Sequence, residues 1–152
     1  MSTKTGVYPV YENQFQVGAS KETLTEIADM ESFSVKLDNG VEEWNPLDQK
    51  GWVRRLMTSK SVTISISGKR NFGDIGNDYI ASKALKNGRD AEGCLQWTFP
   101  DGATLLFEDA VINVTNWGAG KSTEVIPLEF DMMSNGKPTY TEATVQAKSV
   151  SK

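Results

Sequence analysis

From residue 21 to residue 138 the apolar positions recur mainly at every second residue, the period of half-buried β-strands. In residues 31–38 the apolar positions are Phe33, Val35 and Leu37, and Asn39-Gly40 follows. That dipeptide tolerates the positive φ angles of a type I′ turn, so the pattern predicts a strand entering a hairpin at residues 39–40. Residues 61–68 alternate Val62, Ile64 and Ile66 with Ser and Thr. Leu95, Trp97 and Phe99 alternate next, and Pro100-Asp101-Gly102 marks a second hairpin. The returning strand changes phase, from Leu105 and Phe107 to Ala110, Ile112 and Val114. A slip of one residue at Glu108-Asp109 is the signature of a β-bulge. Ile126, Leu128, Phe130 and Met132 form one more face, opposed by Pro127, Glu129 and Asp131, before Asn135-Gly136.

One segment departs from this period. Residues 74–86 carry Ile75, Tyr79, Ile80 and Leu85 near helical spacing, with Asp74 or Asn77 as N-cap and Asn87-Gly88 as a stop. Residues 1–20 show no sustained period and predict an extended N-terminal arm; residues 139–152 predict a C-terminal tail. The fold class is therefore mostly β: a β-sandwich or barrel of about six or seven strands with one flanking α-helix, spanning residues 21–138. Within it, residues 41–60 are anomalous, since two tryptophans and a Leu-Met pair share neither face cleanly. Two readings stand: an irregular strand packed on the core, or a protruding hairpin or loop whose apolar residues are buried only against a neighbouring subunit.

Composition narrows the chemistry. The chain has 152 residues, 24% of them charged, and no histidine. That removes the commonest general base and metal ligand, and every nucleophile activated by His. Cys94 is the sole cysteine, so no internal disulfide forms and a reducing compartment is expected. No apolar run is long enough for a membrane span, and the N-terminus leads into no apolar signal segment. The net charge of −4 is unevenly spread. Residues 50–70 hold six basic residues and no acid, leaving ten basic and twenty acidic groups on the other 131 residues. This stretch reads either as a solvated strand face or as an electropositive arm that docks on an acidic surface.

The apparent motifs fail on inspection. Gly118-Ala119-Gly120-Lys121-Ser122 suggests a phosphate loop, but Thr115 stands where the first glycine is needed. The loop should also open a helix, and Thr123-Glu124-Val125-Ile126-Pro127 reads as a strand. Glu108 and Asp109 are adjacent, so a regular strand points them to opposite faces. Glu129 and Asp131 share a face, but no partner for acid–base chemistry is near them in sequence. The expectation is no enzyme, no cofactor and no metal. A single-stranded nucleic-acid module of OB-like form is the rival from another class, stacking bases on Trp44 and Trp52 beside the basic stretch. The acidic net charge opposes it.

In order along the chain, several local features resemble the major tail tube proteins of long-tailed bacteriophages. They are Trp44-Asn45-Pro46-Leu47-Asp48-Gln49-Lys50-Gly51-Trp52 leading into Arg54-Arg55-Leu56-Met57-Thr58, then Ser67-Gly68-Lys69-Arg70-Asn71-Phe72-Gly73-Asp74 before the helix. Phe99-Pro100-Asp101-Gly102, Val125-Ile126-Pro127-Leu128 and Met133-Ser134-Asn135-Gly136-Lys137-Pro138 follow. The resemblance covers roughly residues 20 to 140 and leaves no room for the immunoglobulin-like C-terminal domain of some relatives. The same fold is similar to the tube subunits of contractile tails and of type VI secretion.

What the resemblance implies is a structural subunit of the virion tail, assembled in the host bacterial cytoplasm. Its partners would be itself, as homo-hexameric rings stacked into a tube, and the tail terminator, tape measure and baseplate proteins. DNA would pass through during ejection without specific binding, and no membrane is involved. A subunit of a contractile tail or tailocin-like particle is the alternative within this class. The family's long hairpin to the adjacent ring falls here on about residues 41–60, so Trp44, Pro46, Leu47, Trp52, Arg54, Arg55, Leu56 and Met57 are the expected inter-subunit contacts. A DNA conduit should be polar and not positive, because phosphate contacts would add friction. Glu129 and Asp131 are the expected lumen lining.

Overall fold

Cross-strand pairing of apolar residues organises the chain. The computed structural model describes residues 6–143, and the expectations for residues 1–5 and 144–152 lie outside them. Eight strands form one antiparallel sheet: β1 (Gln14–Gly18), β2 (Thr25–Glu26), β3 (Met30–Trp44), β4 (Arg54–Lys69), β5 (Glu92–Thr98), β6 (Thr104–Asn116), β7 (Pro127–Met133) and β8 (Thr139–Thr141). Their order is β2-β1-β5-β6-β7-β4-β3, with β8 beside β6. The count exceeds the six or seven expected because β2 and β8 are only two and three residues long.

The sheet rolls up on itself. β1 and β3 lie near its two ends, yet Phe15 of β1 meets Phe33 of β3 edge-on at 4.8 Å, and Phe33 meets Trp97 of β5 at 5.5 Å. The 27–29 segment bridges the gap: Ile27 N–H donates to the Phe15 carbonyl, and Lys69 N–H donates to that of Asp29 at 2.8 Å. Two glycines allow this close crossing. A Cβ on Gly68 would strike the backbone of residues 29–31, and one on Gly76 would strike that of Glu26 and Ile27. Inside the roll, Val17, Ile64, Ile66, Leu95, Phe107, Ile112, Leu128, Phe130 and Met132 are buried, as the alternation requires. Each such side chain contributes about 1.5–3 kcal/mol on burial.

The expected bulge is present. Gly93 pairs with Ala110 but Leu95 with Phe107, so Glu108 and Asp109 together face Cys94. The extra residue carries Phe107 and Ala110 both inward. The 99–103 turn closes as predicted, with Gly102 at φ 99° and the Ala103 amide donating to the Asp101 carboxylate at 3.0 Å.

One helix, α1 (Ile75–Ala81), seals an end of the roll through Ile80 and Ala81. Asp74 is the N-cap, accepting from the Asn77 amide at 2.9 Å. The helix is shorter than the 74–86 segment expected. After Ser82 the amides of Lys83, Ala84 and Lys86 each donate three residues back, so the chain continues as tight turns. Asn77 is fully buried and saturated: its amide nitrogen donates to the Ala28 and Lys69 carbonyls, and its oxygen accepts from the Asn71 amide and Arg70. It ties α1 to β4 and to the crossing segment.

Two expectations need correction. Asn39-Gly40 is not a turn: β3 runs straight through it, and a register shift sits between Gly40 and Val41. Long-range pairing of Phe33 with Ile66, Val35 with Ile64 and Leu37 with Val62 fixes a register that a turn at residue 40 would destroy. The N-terminal arm of residues 1–20 is overridden from Gln14 onward, because β1 is a core strand with Phe15 and Val17 buried.

Candidate assembly surfaces

The β3–β4 hairpin is much longer than the sheet that carries it. β7 pairs with β4 only from Thr63 to Lys69, so residues 54–62 have β3 as their sole strand neighbour. Nine residues at about 3.3 Å each make a two-stranded ribbon roughly 30 Å long. Its cap, residues 45–53, holds a single 3-10 turn at Leu47–Gln49, fixed by Asn45 donating to the Gly51 carbonyl and by Lys50 at φ 52°. An isolated two-stranded ribbon is marginal in water.

Its apolar residues face solvent on both sides. Leu47 is 97% exposed and Trp52 77%; Trp44, Leu56 and Met57 are also exposed, and Pro46 is half-buried. The register shift puts Val41 and Met57 on the face that continues from Val35 and Leu37, while Trp44 and Leu56 take the other. All eight residues singled out from the sequence thus lie together on the distal part of the ribbon. Residues 41–60 thus project from the sheet as a hairpin whose apolar residues are largely exposed.

The basic run is only partly free. Residues 50–70 run the whole length of β4, and three of their six cations are answered by neighbours: Arg55 by Glu43 at 2.8 Å, Lys69 by Glu31 at 3.1 Å, Arg70 by Asp78 at 2.7 Å. A run of basic residues in sequence says nothing about the acids that the adjoining strand supplies. Lys50 and Arg54, near the tip, enter no ion pair among the described residues; Arg54 lies over the Trp44 ring at 5.9 Å. The same geometry separates Trp44 and Trp52 from Lys69 and Arg70 by the length of β4, so the stacking platform of the OB-like reading is not assembled.

Glu129 and Asp131 are half-buried on the outer face of β7. Register places Ser67 beside Glu129 and Ser65 beside Asp131 from β4, with Ser32 and Ser34 beyond on β3, and Asn113 beside Asp131 from β6. The Thr115 hydroxyl donates to the Glu129 carbonyl at 3.3 Å. The hydroxyl face and the acidic face seen separately in the sequence are therefore one surface, and the cross-strand neighbours of its carboxylates are hydroxyls and amides. Cys94 is buried opposite the bulge, and burial first, then Glu108, Asp109 and Glu22, push its thiol above the ordinary range.

Sequence reasoning missed the end of the molecule opposite the tip. There the β6–β7 loop exposes Trp117, Val125 and Ile126, and Phe72 and the first residue of α1, Ile75, are exposed beside it. Alternation gave no signal for Phe72, Trp117 and Val125, and it put Ile126 on the face of Leu128, Phe130 and Met132, whereas Ile126 precedes β7 and is exposed.

Comparison of the fold places these surfaces in context. No protein-family profile matches the sequence, and no curated protein matches it. Solved structures do. A chain from the tail of an empty gene transfer agent particle of C6 symmetry superposes with a TM-score of 0.69 at 19% identity, over 90% of this chain and 100% of that one. A chain from the sheath–tube complex of an extracellular contractile injection system gives 0.62 at 17%, over 92% and 94%. One from the tube-terminating cap of the anti-feeding prophage gives 0.57 at 14%. The rolled sheet with its single helix is the fold found in these phage-tail-like tube assemblies.

Proposed function

We propose that this chain is a structural subunit of a tail tube, stacking through the β3–β4 ribbon into a hollow conduit. The observation that carries the reading is that ribbon, roughly 30 Å of hairpin with a solvent-facing apolar tip left uncovered among the described residues. A subunit that leaves Leu47 and Trp52 exposed on its longest projection is incomplete alone. The likeness to tail and tube assemblies supports the same conclusion, and the C6 symmetry of the gene transfer agent tail supports rings of six. The outer face bearing Glu129, Asp131 and the β4 serines would line the lumen, where DNA slides past carboxylates without holding a phosphate. On this reading the protein resides in the virion tail, assembles in the host cytoplasm and meets terminator, tape measure and baseplate proteins at the tube ends. Its role is structural and not enzymatic.

Negative-stain microscopy of the concentrated protein tests this directly: rings or tubes are expected. Deleting residues 44–54 should leave a folded protein that no longer polymerises, and long tubes from that variant would remove the ribbon from the inter-ring contact. Glu129→Lys with Asp131→Lys should leave tubes intact but slow DNA release; unchanged release would refute the lumen assignment.

A further inference from the structure

The tip of the ribbon needs a receiving surface, and the opposite end of the same molecule offers one. β4 runs from the tip at Arg54 to Lys69, which pairs with Pro127 at the start of β7. Residues 117–126 and 70–75 therefore cap the far end, about 50 Å from the tip along a strand of this length. The exposed apolar residues there adjoin one another. The Arg70 amide donates to the Ile126 carbonyl, the Arg70 guanidinium lies 4.2 Å over the Phe72 ring, and the Ile126 side chain reaches Gly118 beside Trp117. Exposures of 71% for Phe72, 52% for Trp117 and 64% for Val125 leave this patch uncovered by the described residues. Beside it opens a hollow of about 630 Å³ whose lining includes Val125, Glu124 and Lys69, the last already paired with Glu31.

We infer that this far-end hollow receives the ribbon tip of a second copy of the chain; the inference rests on the tube reading above and names the contact that reading requires. Charge supports the choice of occupant. Glu124 enters no ion pair among the described residues, and neither do Lys50 and Arg54 at the tip. Apolar Leu47 and Trp52 meet Val125, Trp117 and Ile126, while the tip cations meet Glu124. Because tip and hollow are different surfaces at opposite ends, the contact is heterologous, and successive copies add in one direction without closing. That polarity is what stacking into a tube needs.

Engineered cysteines test the pairing, since Cys94 is the sole cysteine and is buried. Leu47→Cys and Val125→Cys in one chain should give, after mild oxidation of the assembled protein, a ladder of disulfide-linked multimers on a non-reducing gel. Each single variant should remain largely monomeric on the same gel. As a second measurement, Glu124→Arg should raise the critical concentration for assembly about tenfold, and adding Arg54→Glu should restore it to within threefold. Tubes that form without a ladder and without rescue overturn this contact while leaving the tube reading intact. A parent protein that never polymerises overturns the tube reading itself.

Discussion

Removing the Trp52 side chain separates assembly from folding. An indole presents 150–250 Å² of surface, and Trp52 is 77% exposed. Roughly 120–190 Å² therefore remains to be covered by a neighbour, worth about 3–5 kcal/mol if all of it were buried. Interface side chains lose part of that to ordering and incomplete contact, so Trp52→Ala should cost about 2 kcal/mol per contact. That corresponds to roughly a 30-fold rise in critical concentration when subunits add singly. If preformed rings of six add, six contacts weaken at every step and elongation should vanish at micromolar protein. Folding should barely change, within about 0.5 kcal/mol, because an exposed side chain is lost. Pelleting across a concentration series gives the critical concentration, and urea denaturation below that concentration gives the stability. A critical concentration within threefold of the parent, with stability also unchanged, would refute the claim that the tip is buried on assembly.

Asn77→Ala should do the reverse, unfolding the protein without touching the ribbon. It strips partners from the Ala28 and Lys69 carbonyls and the Asn71 amide around a fully buried side chain, at a combined cost of about 3–5 kcal/mol; a loss below 1 kcal/mol by urea denaturation would contradict this. Gly68→Ala places a Cβ 2.5 Å from Met30 Cα and should destabilise by about 3 kcal/mol, measurable as a fall in Tm; an unchanged Tm would show that the crossing segment can shift. Cys94 should resist thiol reagents at pH 8 until the protein unfolds, and rapid labelling would show that it is not enclosed. Burial raises both Cys94 and Tyr79 above their ordinary values, so the neutral forms stabilise the fold fully at neutral pH. That contribution is lost as pH climbs past the unfolded values, roughly 8.5 and 10. The urea midpoint should therefore drop above about pH 8.5, less steeply in Cys94→Ala; identical slopes would refute the cysteine share.

The sequence by itself determined the strands whose one face must be buried. Val62, Ile64 and Ile66, or Leu128, Phe130 and Met132, can satisfy alternation in only one way, so β4 and β7 were legible, as was the bulge at Glu108-Asp109 where the alternation slips. The absence of histidine chemistry was equally plain. Three things depended on partners distant in the chain and so only the tertiary structure decided them. Asn39-Gly40 has turn chemistry, yet pairing of β3 with β4 outweighs a local preference worth far less. Half of the cations in the basic run of residues 50–70 are answered by Glu43 and Glu31, which come from β3, and Asp78, which comes from α1. The apolar end opposite the ribbon is assembled from loops about 50 residues apart, Phe72 and Ile75 with Trp117, Val125 and Ile126. No local period encodes it, because its neighbours are set by how the sheet rolls.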